Sequence, residues 1–110
     1  MILVILKAFL KLIAKNQIMQ IKQEGNQESG RFVTEDGLGE IIYSKAQDGV
    51  ITVEHTEVDS SLKGKGVGKQ LVHAIADWAR KENLKLIPQC TYARAVMQRD
   101  PSFKDVLYPV

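Results

Sequence analysis

A turn rich in glycine and lysine that runs directly into an apolar helix pattern most restricts what this chain can fold into. The turn, within SLKGKGVGKQLVHAIADWAR (residues 61–80), contains Lys63, Gly64, Lys65, Gly66, Gly68 and Lys69. From there the apolar residues recur every three or four positions: Val67, Leu71, Ala74, Ile75, Trp78 and Ala79. This spacing predicts a helix that begins inside the turn and ends near Asn83.

The part of the chain before this turn has the pattern of a β-meander. Polar stretches at residues 23–30, 35–37 and 47–49 contain glycine and are predicted to be turns. The segments on either side of these turns are short, and the last of them, residues 50–58, is rich in β-branched residues. The predicted strands cover residues 19–22, 31–35, 38–45 and 50–58.

After the helix the sequence predicts one more strand, residues 84–87, and a second helix, residues 91–99. Pro88 ends the strand, and the helix stops before Pro101. The link from the fourth to the fifth strand is long enough for a parallel, right-handed crossover. The predicted fold class is therefore α/β, with a mixed sheet made of an antiparallel meander followed by strand, helix, strand and helix.

The first 18 residues differ in character from the rest. Residues 1–14 form a nearly continuous apolar run that only Lys7 and Lys11 interrupt. The run is shorter than the roughly 20 residues that a spanning helix needs, so no membrane span is predicted. A short amphipathic helix and an upstream extension before Met19 are both open. We divide the chain into an N-terminal apolar extension, residues 1–18, and one domain, residues 19–110.

Net charge and cysteine content limit which kinds of partner and which cellular compartment the sequence predicts. The net charge of +2 is too small to indicate a nucleic-acid partner. Cys90 is the only cysteine, so the sequence offers neither an internal disulfide nor a thiolate-rich zinc site. We predict a cytoplasmic protein without a metal site, and the sequence does not indicate its oligomeric state.

The glycine turn between a predicted strand and a predicted helix is suited to binding an anion. The first N–H groups of a helix lack carbonyl partners and lie at the positive end of its dipole. Gln70 after Gly68-Lys69 excludes a nucleoside-triphosphate P-loop, and Lys69 stands where a dinucleotide fingerprint needs its third glycine. The alternative is a tight turn that carries solvated lysines.

The segment KGKGVG, residues 63–68, resembles the acetyl-coenzyme A pyrophosphate loop of the GNAT acyltransferase superfamily, whose pattern is Q/R-x-x-G-x-G/A. Gly66 and Gly68 match its glycines, and Lys63 replaces the usual Gln or Arg. The segments HTEVDSSLKGKGVGKQLVHAIADWAR and LIPQCTY are similar to those of small, single-domain GNAT-like proteins of the YjdJ type. The resemblance covers residues 19–108.

This resemblance implies a sheet that splays between the fourth and fifth strands, with acetyl-coenzyme A as cosubstrate in the gap. The exposed edge at Glu57 and Val58 would pair with the pantetheine arm. In GNAT enzymes two helices after the first strand shape the acceptor site, and only residues 23–30 stand there in this chain. The acceptor, a small-molecule or protein amine, therefore stays open. The pyrophosphate would meet backbone N–H groups around Lys65 to Lys69. The predicted cofactor-binding residues of the turn are Lys63, Gly64, Lys65, Gly66, Val67, Gly68 and Lys69.

His55 and Glu57 are candidates for the general base that an acetyl transfer to an amine requires. By the two-residue period of a strand, they share a face with Ile51 and Val53 and lie toward the end nearest the glycine turn. The alternatives are an ordinary surface pair and a hydrogen-bonded histidine under a loop.

Cys90 and Tyr92 are the other catalytic candidates, at the start of the last helix. The helix dipole there lowers the pKa of a thiol, which favours Cys90 as an acyl-accepting nucleophile with His55 as its partner. A small, buried apolar residue is the alternative for Cys90. The resemblance implies that Tyr92 protonates the leaving thiolate, and contact with Val96 is its alternative.

Together these features predict a GNAT-type N-acetyltransferase that binds acetyl-coenzyme A and transfers the acetyl group to an amine. The shortened acceptor half keeps a second interpretation open, a non-catalytic module that binds acyl-coenzyme A or regulates in response to it.

Overall fold

The computed structural model describes residues 20–109, which form a five-stranded sheet and two helices. The strands lie in chain order across the sheet, antiparallel at the first three junctions and parallel between the last two. The predicted α/β mixed sheet is confirmed. Its elements are β1 (Ile21–Gly25), β2 (Ser29–Thr34), β3 (Gly39–Gln47), β4 (Val50–Val58), α1 (Val67–Lys81), β5 (Lys85–Pro88) and α2 (Thr91–Arg99).

The predicted N-terminal extension lies outside the described residues, so both interpretations of it stay predictions. Within residues 20–109, neither helix has the length and apolar character that crossing a bilayer would require.

The first hairpin is tighter than the sequence suggests. A turn is predicted over residues 23–30, but β1 continues to Gly25 and β2 resumes at Ser29. Asn26 closes the connection, because its Oδ1 accepts hydrogen bonds from the N–H groups of Glu28 at 2.8 Å and Ser29 at 3.2 Å. The prediction is wrong because β1 is a mostly polar edge strand without apolar alternation. In the described part of the chain, no helix stands between β1 and β2.

Helix α1 packs its apolar side against one face of the sheet. Trp78 joins it to the strands, since its ring lies 5.7 Å from that of Phe32 and 4.8 Å from that of Tyr43. Asn83, at a φ of 56°, follows the end of the helix as predicted. The side chains of α1 buried in the core are Val67, Leu71, Val72, Ile75, Ala76 and Ala79.

Strands β4 and β5 pair over only part of the length of β4, which confirms the predicted splay. The last residue pair is Val53 with Pro88. The N–H groups of Gln89 and Cys90 then both donate to the Val53 carbonyl, at 3.0 and 3.1 Å, and the chain turns into α2. Strand β4 continues to Val58 and diverges from β5 beyond this point.

We expect Leu71→Ala to lower the free energy of unfolding by about 2–5 kcal/mol. Leu71 is fully buried between α1 and the sheet, so the shorter side chain leaves a cavity as well as losing apolar burial. Urea denaturation followed by circular dichroism measures the change. Lys81→Ala, at an exposed position of the same helix, should change it by less than about 0.5 kcal/mol. A similar loss in both variants would contradict this account of the core.

Candidate functional site

The glycine turn supplies unpaired backbone donors at the start of α1. Gly66 precedes the helix at a φ of 73°, and no side chain caps the helix there. The N–H groups of Val67, Gly68 and Lys69 therefore have no carbonyl partner within the helix. Lys65 does not add to this set, because its N–H donates to the Leu62 carbonyl at 3.2 Å. An anion bound here would meet the backbone N–H groups from Val67 onward.

A cavity of about 650 Å³ opens beside this turn, where β4 has separated from β5. We call it the edge cavity. Thr56 and Val58 of β4 form one side, the loop from Asp59 to Gly66 forms another, and the first turn of α1 faces them. Tyr92 of α2 closes the far side. The cavity thus joins a strand edge to a helix N-terminus, two places where backbone groups can bind a ligand.

His55 and Glu57 do not line the edge cavity, and the expectation that they share a face with Ile51 and Val53 is wrong. His55 pairs with Ile42 of β3, and Val53 pairs with the next residue, Tyr43, so Glu54 is an extra residue in a β-bulge. The bulge reverses the alternation beyond it. Thr56 and Val58 consequently continue the helix-facing side of β4, and His55 and Glu57 lie on the other face of the sheet.

His55 and Glu57 form a pair on that second face. The His55 Nε2 lies 3.5 Å from the Glu57 Oε2, and more than half of each side chain is exposed. Glu57 lines a shallow acidic depression of about 230 Å³ with Glu40 and Asp59. The arrangement is that of a surface pair and leaves His55 without access to Cys90.

Cys90 lies at the start of α2, and its partner is Thr56, not His55. The Cys90 thiol donates to the Thr56 hydroxyl, with 3.5 Å between Sγ and Oγ1. Two elements thus meet at the sulfur, namely the free edge of β4 and the N-terminus of α2. The thiol is half-buried beside the separation of the two strands.

The surroundings of Cys90 favour its thiolate. Burial raises the pKa of the thiol, but a hydrogen bond from the Thr56 side chain lowers it. Backbone N–H groups of Ala93, Tyr92 and Thr56 lower the pKa further. Together these hydrogen bonds outweigh the effect of burial, so the pKa of Cys90 lies below its ordinary value.

We expect Thr56→Val to raise the pH at which iodoacetamide alkylates Cys90 at half its maximal rate. The hydroxyl that stabilises the thiolate is lost, while the side-chain shape is nearly kept. Thr56→Ser should restore the wild-type midpoint. Thr52→Val, on the same strand before the bulge, serves as the control. A midpoint that does not move in Thr56→Val would show that the hydroxyl leaves the thiol pKa unaffected.

Tyr92 lies directly over Gly68. A Cβ atom built at Gly68 would come within 2.6 Å of the Tyr92 hydroxyl oxygen, so only glycine allows this approach without movement. Burial raises the pKa of the Tyr92 phenol, and the charge of the Cys90 thiolate raises it further. The phenol therefore stays protonated at neutral pH and is available as a proton donor.

The structure brings most of the predicted residues together. Those that line the edge cavity are Val58, Lys63, Gly64, Gly66, Val67, Gly68, Lys69 and Tyr92. Cys90 adjoins it through Thr56, whereas His55, Glu57 and Lys65 lie outside it. Within residues 20–109, no cluster of His, Cys, Asp and Glu could hold a metal ion.

Sequence reasoning missed four residues of this cavity: Thr56, Asp59, Ser60 and Leu62. Asp59 carried a usable signal, since Asp before Ser-Ser is typical of a cap, and its Oδ2 accepts from the Ser61 N–H at 2.9 Å. The sequence gives no such signal for Thr56. Its side chain lies on the helix-facing side of β4 because of a bulge, and that bulge depends on the pairing of β4 with β3.

A sequence model described as GCN5-related N-acetyl-transferase matches residues 31–106. The chain belongs to this GNAT family. The prediction of a small GNAT-type acyltransferase domain is confirmed at the level of family and fold.

Curated relatives share just over a quarter of the aligned residues with this chain. Protein NATD1 of Gallus gallus and that of Mus musculus are each 28% identical over 61 residues, which is 56% of this chain and 56% of theirs. NATD1 of Homo sapiens is also 28% identical, over 54% of its length. The chain thus spans about half the length of the curated relatives it matches.

Solved structures agree with the GNAT fold. A GCN5-like protein from Staphylococcus aureus, solved by NMR, has a TM-score of 0.67 and 33% identity, over 84% of this chain and 90% of that one. An IAA acetyltransferase from Bacillus cereus has a TM-score of 0.52 and 20% identity, over 66% of this chain and 54% of that one. The second likeness supports the fold alone.

Proposed function

We propose that the domain, residues 19–110, binds acetyl-coenzyme A in the edge cavity and transfers the acetyl group to an amine. One observation carries this proposal, namely a ligand-sized cavity that joins the free edge of β4 to the uncapped start of α1. Membership of the N-acetyltransferase family supports the reaction class.

The residues around the edge cavity fit the chemistry of coenzyme A. Gly64 and Gly66 have positive φ angles, and a Cβ on either would meet nothing within 4 Å, so the loop leaves room for a ligand. In this proposal the pyrophosphate meets the N–H groups from Val67 to Lys69, and the pantetheine arm runs along β4 beside Thr56 and Val58. Lys63 and Lys69 supply positive charge.

The bound thioester would supply an activated acetyl group, and the chain would direct the proton transfers. Tyr92, protonated at the wall of the cavity, is placed to protonate the departing thiolate. Cys90 is placed either to line the acyl end or to accept the acetyl group. His55 and Glu57, on the second face, act as base in this proposal only for an amine that approaches from that face.

Two measurements on the full chain test the proposal. Isothermal titration with acetyl-coenzyme A should give saturable binding to one site. Release of free thiol with a panel of small amines and lysine peptides should then exceed the rate without amine. Absence of binding would contradict the assigned site, whatever the result of the turnover assay.

A non-catalytic module that binds acyl-coenzyme A is the second candidate. The hairpin from β1 to β2 favours it, because that connection is a short turn at residues 26–28 and offers no helical wall for an acceptor. Binding without thiol release for any amine tested would favour this role. We place either activity in the cytoplasm, where acetyl-coenzyme A and reduced thiols are both present.

A further inference from the structure

The two outer strands of the sheet differ in what covers their free edges. At one end of the sheet, Leu86 of β5 forms a bridge with Leu107, so the C-terminal residues cover that edge. At the other end, within residues 20–109, β1 pairs with β2 alone. In the part of the chain that the structure describes, β1 is therefore the outer strand whose backbone is open to a partner.

Hydrogen bonds at the two ends of β1 indicate which of its residues face outward. The Glu35 N–H donates to the Gln20 carbonyl at 2.9 Å, and the Asn26 N–H donates to the Ser29 carbonyl at 3.1 Å. Successive residues of an antiparallel strand direct their backbone groups to alternate sides, so the even-numbered residues of β1 bond to β2. The residues whose N–H and C=O groups point away from the sheet are Ile21, Gln23 and Gly25.

Strand β1 also carries two opposite charges, two residues apart on one face. The Lys22 Nζ lies 3.2 Å from the Glu24 Oε2, and 64% and 42% of the two side chains are exposed. Arg31 of β2 contacts the other oxygen of Glu24 at 2.7 Å. Hydrogen bonds from Arg31 and from Lys22 lower the pKa of Glu24, so this carboxylate is charged at neutral pH. A strand placed beside β1 would meet both charges.

We propose that β1 pairs antiparallel with β1 of a second copy of this chain, about a two-fold axis at Gln23. The outward-facing residues then lie opposite one another, Gln23 with Gln23 and Ile21 with Gly25, so the hydrogen bonds of the sheet continue across the axis. Lys22 of each copy lies opposite Glu24 of the other copy. These are the pairs without backbone hydrogen bonds, whose side chains approach most closely.

Charge favours this register over its neighbours. Sliding one strand by two residues is the smallest shift that keeps outward-facing groups opposite one another. In one direction the shift places Lys22 opposite Lys22, and in the other it places Glu24 opposite Glu24. Like charges that lie directly opposite are destabilising. The register centred on Gln23 uses the whole strand and pairs each charge with its opposite, so β1 is complementary to itself.

The proposed dimer does not depend on the proposed function. Strand β1 and the separation of β4 from β5 lie at different ends of the sheet order. None of the residues of β1 lines the edge cavity. A second copy on β1 therefore leaves the edge cavity open to its ligand.

Sedimentation velocity of the full chain over a range of concentrations tests the dimer. Wild type should change reversibly from monomer to dimer as its concentration rises. Lys22→Glu and Glu24→Lys should each weaken the dimer at least about tenfold, because each variant has one sign of charge at both positions. An equal mixture of the two variants should recover the dimer, since each strand then meets the opposite charge. No loss confined to a single chain would be reversed by mixing.

Lys81→Glu and Glu82→Lys are the matched controls, because they make the same charge changes at exposed positions outside β1. Both should keep the wild-type dimer. A wild type that stays monomeric at every concentration would overturn the inference, and residues 1–18 covering the edge would give that result. A dimer that neither β1 variant weakens, or variants that stay monomeric when mixed, would overturn it as well. Circular dichroism verifies that each variant is folded.

Discussion

Gly68→Glu is expected to weaken binding of acetyl-coenzyme A by at least about 100-fold. Gly68 lies in the first turn of α1, where unpaired N–H groups face the edge cavity. A glutamate there places a negative charge where the proposal puts a pyrophosphate. Its Cβ would also lie 2.6 Å from the Tyr92 hydroxyl oxygen and displace that ring. Charge and shape thus act in the same direction.

The same change should leave the fold intact. Gly68 is inside a helix, where glutamate has the higher helix propensity, and a carboxylate in the first turn interacts favourably with the dipole. Tyr92 is 42% exposed and can turn toward solvent. Isothermal titration and circular dichroism measure the two effects, and Gly68→Gln separates shape from charge with a smaller loss. Unchanged affinity in a folded Gly68→Glu would rule out the pyrophosphate assignment.

Element positions could be predicted best where local chemistry is strong. The bounds expected for β4 and α2 are those of the structure, Val50–Val58 and Thr91–Arg99. Strand β4 is rich in β-branched residues, and a proline follows closely on the end of α2. Strand β1 is mostly polar and shows no apolar alternation. The sequence therefore predicts a turn that is wider than the one in the structure.

The face of a residue was harder to predict than its element. The two-residue period placed His55 toward the core side, and one bulge residue, Glu54, reversed that order. A bulge depends on the register between two strands, which a single strand's sequence does not specify. Because of the same reversal, the Thr56 hydroxyl contacts the Cys90 thiol. The partner that the sequence suggests for this thiol, His55, is therefore wrong.

Acetyl-coenzyme A without any amine is expected to acetylate the chain at Cys90. Cys90 is the only cysteine, so an acyl-thioenzyme has one place to form. Its pKa lies below the ordinary value, which provides more thiolate at neutral pH. The thiolate would attack the thioester carbonyl, a new carbon–sulfur bond would form on Cys90, and the coenzyme would leave as a thiolate. Tyr92 lines the edge cavity, and its phenol can protonate the departing thiolate.

Intact-protein mass spectrometry at neutral pH tests this step. Wild type should gain the mass of one acetyl group, and Cys90→Ala should gain none. Thr56→Val should acquire the group more slowly, because the hydroxyl that stabilises the thiolate is gone. Thr52→Val, before the bulge, is the matched control. An unmodified wild type, together with full amine turnover by Cys90→Ala, would contradict the two-step route. Direct transfer would then remain, with His55 or Glu57 as base for an amine at the second face of the sheet.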